Sequence, residues 1–241
     1  MSLEYNDEVF VPDLGANKIW RLARDGPPGN FKVHGQIDVD AGSGPRHIAI
    51  HDNILFTVHE LTSTLTAQPI PQGPNGTTLP LIANVSVVPP HTLNGSFFAA
   101  ELLISTPTAQ FPDPLIYVSN RNLGPQFDPR GDTIAIFEFR NGTTGGSVEC
   151  PSRSSKRMVK RHHRRQADAG SLVLVAQVFT GLKQIRSMNL GPVGNGGDEF
   201  LIAGANVDGG VVVFRRVDGG RNLTVVARNE EIANRTSFVF V

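Results

Sequence analysis

Charged and polar residues recur at matched places along this 241-residue chain, and their types set what chemistry it could perform. One set opens short apolar runs: Arg46 and His47 in GPRH, Glu101 in AAEL, and Arg186 in QIRS. A second set closes the run that follows: Asp13 in VPDLG, Glu60 in VHELT, Arg121 in SNRN and Asn206 in GANV. Histidine titrates near neutrality, so His47 is suited to general acid or base work. Arg46, Arg121 and Arg186 offer planar forks that match a carboxylate or phosphate. Glu101 could serve as a base or hold an arginine in place. Each residue also has a plainer reading. A strand histidine is commonly a hydrogen-bonded structural group, and an arginine at a strand end is commonly a surface ion pair. Asp13 and Glu60 could accept hydrogen bonds from turns. Recurrence favours function, because a purely structural repeat would fill these places with apolar or small residues.

The elements that must position these groups are strands. Helical periodicity is nearly absent, and short β-branched and aromatic runs alternate with Gly, Pro, Asn and Asp. The runs form a larger repeat. A strand, polar turn and strand appear from Glu8 to Leu22, again from Ile54, from Leu115 to Phe139, and from Glu199 to Arg216. A shorter strand precedes three of these copies: GPRHIAIH, FFAAELLIST and QIRSMNLG. Outer strands follow, as in FKVHGQIDV, SLVLVAQVF and NLTVVARNE, and the terminal SFVFV reads as one more inner strand. Arg46 and Glu101 lie 55 positions apart, and Arg186 and Ser237 lie 51 apart. The middle step, Glu101 to Arg186, is 85 because it holds an insert. An inner strand, a long hairpin and an outer strand make a four-stranded blade, and radial repetition of blades makes a β-propeller. A β-sandwich also has many short strands, but one recurring spacing favours the propeller. The expectation is an all-β chain, a single domain over 1–241 with about four blades, too few to close a ring without exposed edges. A missing N-terminal portion is therefore expected.

Composition narrows the partners. Residues 153–165 carry seven Lys/Arg and no acid; without them, 15 basic residues face 22 acidic ones, a net charge of −7 for the rest. An acidic body argues against nucleic-acid binding. The basic run belongs to an insert at 150–169, read as an exposed loop, with dibasic processing or polyanion binding as alternatives. No apolar stretch is long enough to span a membrane. Cys150 is the single cysteine, so no internal disulfide is possible. Glycosylation sequons occur at Asn75, Asn84, Asn94, Asn141, Asn222 and Asn234, six where about two would arise by chance under the N-X-S/T rule. They point to an extracellular, secreted protein carrying N-glycans. No signal peptide opens the chain, which leaves a cytoplasmic location as the alternative. GxSxG, P-loop and HExxH motifs are missing, and no metal or cofactor is expected.

The blocks VPDLGANKIW, GPRHIAIH, FFAAELLIS, IYVSNRN with GDTIAIFEF, and VFTGLKQIR with IAGANVDGGVVVFRR occur in order over nearly the whole chain. Together they resemble the fungal branch of the lactonase family. That family includes 3-carboxy-cis,cis-muconate lactonizing enzymes and seven-bladed 6-phosphogluconolactonases. The resemblance implies a seven-bladed ring in full-length relatives, with this chain as their C-terminal part. It also implies catalytic roles for His47, Glu101 and Arg186 and substrate-binding roles for Arg46 and Arg121. One departure is QIRS, where relatives often have Pro before the Arg. Another is that no match is found for a further cyclase arginine upstream of Glu101. The expected activity is metal-free lactone hydrolysis or carboxymuconate cyclisation on a small anionic substrate. The alternatives are a non-catalytic secreted glycoprotein using the propeller as an adhesion platform, and a fragment inactive alone.

Overall fold

The computed structural model describes residues 2–73, 78–90, 95–142, 170–232, 237, 238 and 240. The basic insert expected at 150–169 lies outside the described residues, between the third and fourth strands of its blade. Among the described residues, sixteen strands form four antiparallel sheets of four, each in simple sequence order. Blade 1 holds β1 (Leu3–Tyr5), β2 (Glu8–Asp13), β3 (Lys18–Arg24) and β4 (Phe31–Asp38). Blade 2 holds β5 (Pro45–His51), β6 (Ile54–His59), β7 (Thr64–Pro69) and β8 (Ala83–Ser86). Blade 3 holds β9 (Phe97–Ile104), β10 (Leu115–Asn122), β11 (Thr133–Arg140) and β12 (Ser171–Phe179). Blade 4 holds β13 (Lys183–Leu190), β14 (Phe200–Asp208), β15 (Val211–Val217) and β16 (Asn222–Asn229).

Local sequence explains the hairpins. Two-residue turns that match strand twist need positive φ at both central positions. Asn6 and Asp7 (φ 50° and 62°), Asp52 and Asn53 (φ 48° and 60°), and Gly209 and Gly210 (φ 90° and 77°) meet that need. They join β1 to β2, β5 to β6, and β14 to β15. Strand β1 was not expected from sequence. Three residues are too few to show periodicity, yet Leu3, Glu4 and Tyr5 pair with Phe10, Val9 and Glu8 to complete the first blade.

The core lies in the seams between blades. Phe10, Ile19 and Ile37 of blade 1 meet Ile48 and Leu55 of blade 2. Phe56, Val58 and Leu65 meet Ala99, Ile116 and Val118. Leu115, Tyr117, Ile134 and Ile136 meet Ile185, Leu201 and Phe214. Every residue of β10 is buried, since both faces of blade 3 are covered, whereas β16 is exposed at all but one position. Polar groups staple the last seam. Tyr117 donates to Gly220 O at 2.6 Å and receives Arg216 Nε at 2.9 Å, and Asp132 accepts the N–H groups of Asn122, Gln184 and Ile185.

The terminal SFVFV was expected as an inner strand. Its described residues, Ser237, Phe238 and Phe240, belong to no strand. Phe238 instead packs over Gly204 of β14, where a Cβ would lie 2.1 Å from Phe238 Cζ.

Candidate active site

Inner strands β5, β9 and β13 lie side by side at the blades' shared edge. Each carries one extra residue against its hairpin neighbour. In β5 the pairing steps from Pro45–His59 to His47–Val58, leaving Arg46 extra. In β9 it steps from Leu102–Val118 to Ala99–Asn120, so Ala100 and Glu101 face Ser119 alone. In β13 it steps from Ile185–Ala205 to Ser187–Gly204, leaving Arg186 extra. A bulge bends its strand and re-aims side chains that regular alternation would send into a seam. The same defect in three successive blades brings Arg46, His47, Glu101 and Arg186 within electrostatic reach of one another. The Glu101 N–H freed by its bulge donates to Ser119 Oγ at 3.0 Å.

The second set of positions divides. Glu60, at the end of the β6 run, takes Arg46 Nη1 at 2.6 Å on one carboxylate oxygen and Arg121 Nη2 at 2.7 Å on the other. Arg46 Nε also donates to Ala100 O at 3.1 Å, and Arg121 Nε to Phe98 O at 3.4 Å, tying both arginines to β9. Arg121 is buried, with 6% of its side chain exposed. Glu60 is therefore a clamp for two arginines, a role that the turn-acceptor reading missed. Its signal in the sequence was that Glu60 and Arg121 close the same run in adjacent blades, so opposite charges occupy one repeat position. Asp13 keeps the plainer role: it accepts Trp20 Nε1 and Ala16 N, both at 3.0 Å, and caps its own hairpin. Asn206 is exposed on β14.

His47 Nδ1 lies 3.2 Å from Glu101 Oε2. The approach is off the line of a hydrogen bond, and Nδ1 has no such partner among the described residues. Burial pushes the His47 pKa down to about 3, and Arg46, Arg121 and Arg186 push the same way. Burial pushes Glu101 up to about 7 against the opposing pull of the same arginines. Burial also works to raise Glu60, but hydrogen bonds and charge from Arg46 and Arg121 outweigh it and hold that carboxyl below its usual value. Arg121 is lowered by burial, partly offset by Glu60. Arg186 is exposed and takes part in no hydrogen bond or ion pair among the described residues. The cluster thus combines a neutral imidazole, a carboxyl poised at neutrality, two arginines braced on one glutamate, and a third arginine open to a ligand. All five residues singled out in the sequence, His47, Glu101, Arg186, Arg46 and Arg121, meet here.

Residues 4–151 match the family profile described as "Lactonase, 7-bladed beta-propeller". The 6-phosphogluconolactonases of Yersinia pestis and Yersinia pseudotuberculosis are 32% identical over 120 residues, which cover 48% of this chain and 33% of those proteins. A putative 6-phosphogluconolactonase from Bacteroides fragilis superposes with a TM-score of 0.69 at 18% identity, covering 100% of this chain and 57% of that one. The periplasmic gluconolactonase of Pseudomonas aeruginosa gives 0.62 at 15% identity, covering 97% and 54%. These structural likenesses show the fold. The chain spans a third of the curated relatives it matches and just over half of the solved structures.

Proposed function

The chain belongs to the lactonase family of seven-bladed β-propellers, and from that premise we propose that its inner-strand cluster hydrolyses a small lactone bearing an anionic group. The observation that carries this reading is the Glu101 carboxyl, held near 7 beside a neutral His47 and ringed by three arginines. A general base works best when its pKa lies near the operating pH. Glu101 meets that condition, and His47, held near 3, does not.

In the proposed step, ionised Glu101 takes a proton from a water molecule, whose oxygen attacks the lactone carbonyl. Negative charge gathers on the carbonyl oxygen, and a preorganised cation beside it lowers the barrier. Arg186 fills that role because no protein carboxylate competes for it among the described residues. As the tetrahedral species collapses, the ring C–O bond breaks, and the proton held by Glu101 passes to the departing alkoxide. The product is one hydroxy acid. His47 positions Glu101: its neutral ring, with Nδ1 3.2 Å from the carboxyl, limits where that group can turn and adds no charge beside it. Arg46 and Arg121, sharing the single charge of Glu60, keep a net positive surface for the substrate's own carboxylate or phosphate.

Two rival readings use other features. Carboxymuconate cyclisation would employ the same arginines on several carboxylates and is supported by their number. An adhesion platform is supported by sequon residues Asn84, Asn141 and Asn222, all exposed. The deciding experiment incubates the folded chain with 6-phosphogluconolactone, gluconolactone and carboxymuconate. Hydrolysis of the first, faster than of the neutral second, is expected, with kcat/KM rising through pH of about 7. Turnover of carboxymuconate alone favours the cyclase. No turnover in a chain that melts cooperatively sinks the catalytic reading.

A further inference from the structure

A cavity lies between blades 1 and 2, lined by the end of β4 and the turn after it on one blade and by β6, β7 and β8 on the other. Its volume is about 240 Å³. Asp38 and Asp40 line one side, and Ser43, His59, Thr66 and Gln68 line the other. The last four are more than nine-tenths buried. His59 Nε2 meets Thr66 Oγ1 at 2.9 Å, but His59 Nδ1, Ser43 Oγ and Gln68 Nε2 have no hydrogen-bond partner among the described residues. Buried polar groups are normally satisfied, and a cluster of three that are not calls for an occupant. Asp40 stands on the exposed side of the same cavity, close enough to oppose the fall that burial imposes on the His59 pKa.

We infer that this seam binds one small, uncharged, polyhydroxylated ring. No Lys or Arg lines the cavity, and two carboxylates do, so an anion would enter against its charge. An amine would suit Asp38 and Asp40 but has no acceptor to offer the Gln68 amide. A hydroxyl does both: it accepts from Gln68 Nε2 and donates to a carboxylate. Whichever way the Gln68 carboxamide is turned, a hydroxyl matches the atom it presents. Serine and histidine ask for the same two-way partner, so several hydroxyls on one frame fit the set. The volume lies just below the usual range of drug-sized ligand pockets, so it holds a single ring rather than a chain of them. The site has no side chain in common with the His47–Glu101 cluster and does not depend on the activity proposed for it.

The test is protein-observed NMR on the full chain with D-glucose, D-galactose, D-mannose and myo-inositol as neutral probes. Gluconate serves as the anionic control and putrescine as the cationic one. At least one neutral ring should bind at millimolar concentration and shift the amides of Asp40, Ser43, Thr66 and Gln68, including the Gln68 side-chain amide. Gln68→Leu keeps the side chain's bulk and should weaken that binding at least tenfold. Asp40→Asn, at an exposed position, should weaken it as well. Melting curves confirm that both variants are folded. Four outcomes overturn the inference: no neutral probe shifts these amides, gluconate or putrescine shifts them more strongly, the shifts gather at His47, Glu101 and Arg186 instead, or both variants bind unchanged.

Discussion

Glu101 and His47 make opposite contributions to stability as pH changes, and one substitution separates them. The Glu101 carboxyl is raised in the fold, so the unfolded chain gives up this proton first. Folding becomes costlier from about pH 4.5 upward and levels off only when the folded carboxyl ionises near 7. His47 is lowered, so the unfolded chain gains its proton first, and stability falls as pH drops from 6.5 towards 3. Glu101→Gln keeps the shape and removes the first effect. At pH 8 the variant should be more stable by on the order of 2 kcal/mol, and at pH 4 it should match the parent, by chemical denaturation. The same variant should lose 10²–10⁴-fold in lactone turnover, roughly what a general base contributes, and lose the rise through neutral pH. A gain in stability with a loss of activity is the mark of a strained catalytic group and not of a structural one. The Glu60 clamp predicts the reverse pattern. Arg121→Ala leaves a largely buried carboxylate with one partner fewer and should cost about 2–4 kcal/mol. Adding Glu60→Ala should return part of that loss in a double-mutant cycle.

At the scale of elements, the bulges in β5, β9 and β13 matter most, because each sets the aim of one site residue. Their strands are otherwise fixed by buried neighbours such as Ile48, Leu102 and Met188, which anchor the register on the seam side. A glycine sets the other telling contact. Gly204 of β14 leaves room for Phe238, and Gly204→Ala would force a methyl group to within 2.1 Å of the ring. The expected cost is about 1–3 kcal/mol, read as a lower melting temperature. Phe238→Ala should remove most of that penalty when combined with it, if the ring is what the methyl meets. In sequence, the insert at 150–169 falls between β11 and β12 of blade 3 and lies outside the described residues.

The described residues form four blades joined by three seams, each blade touching only its neighbours. Such a chain behaves as a nearly linear stack, whose inner units gain from two interfaces and whose end units gain from one. Blade 3, with β10 buried throughout, should therefore hold its amide protons longest in hydrogen exchange, and β16 should lose them first. Val33, Val225 and Val226 are about half exposed on the outer strands of the two end blades. Apolar surface at both ends of a stack favours association, so sedimentation should show self-association that grows with concentration.

The sequence by itself determined the repeat, because blade periodicity is written in alternating apolar runs and turn residues that local physics enforces. It also marked four residues of the proposed site, Arg46, His47, Glu101 and Arg186, since charge at the opening of an inner strand breaks a pattern that packing would otherwise keep apolar, and Arg121 by its place at the close of the run that follows. Strand β1 escaped notice because three residues carry no period, and its strand character comes from pairing with β2. The terminal SFVFV reads as a strand, yet its described residues belong to none, and Phe238 is held by its ring against Gly204 and by its carbonyl, which accepts from Asn189. Only the tertiary structure decided that Glu60 braces two arginines while Asp13 merely caps a turn, for both are acids at one repeat position and differ only in the neighbours that the fold supplies. It alone decided the balance of charge at the centre. The pKa values of His47 and Glu101 arise from burial and from three arginines drawn from three blades, and no local stretch of chain contains that sum.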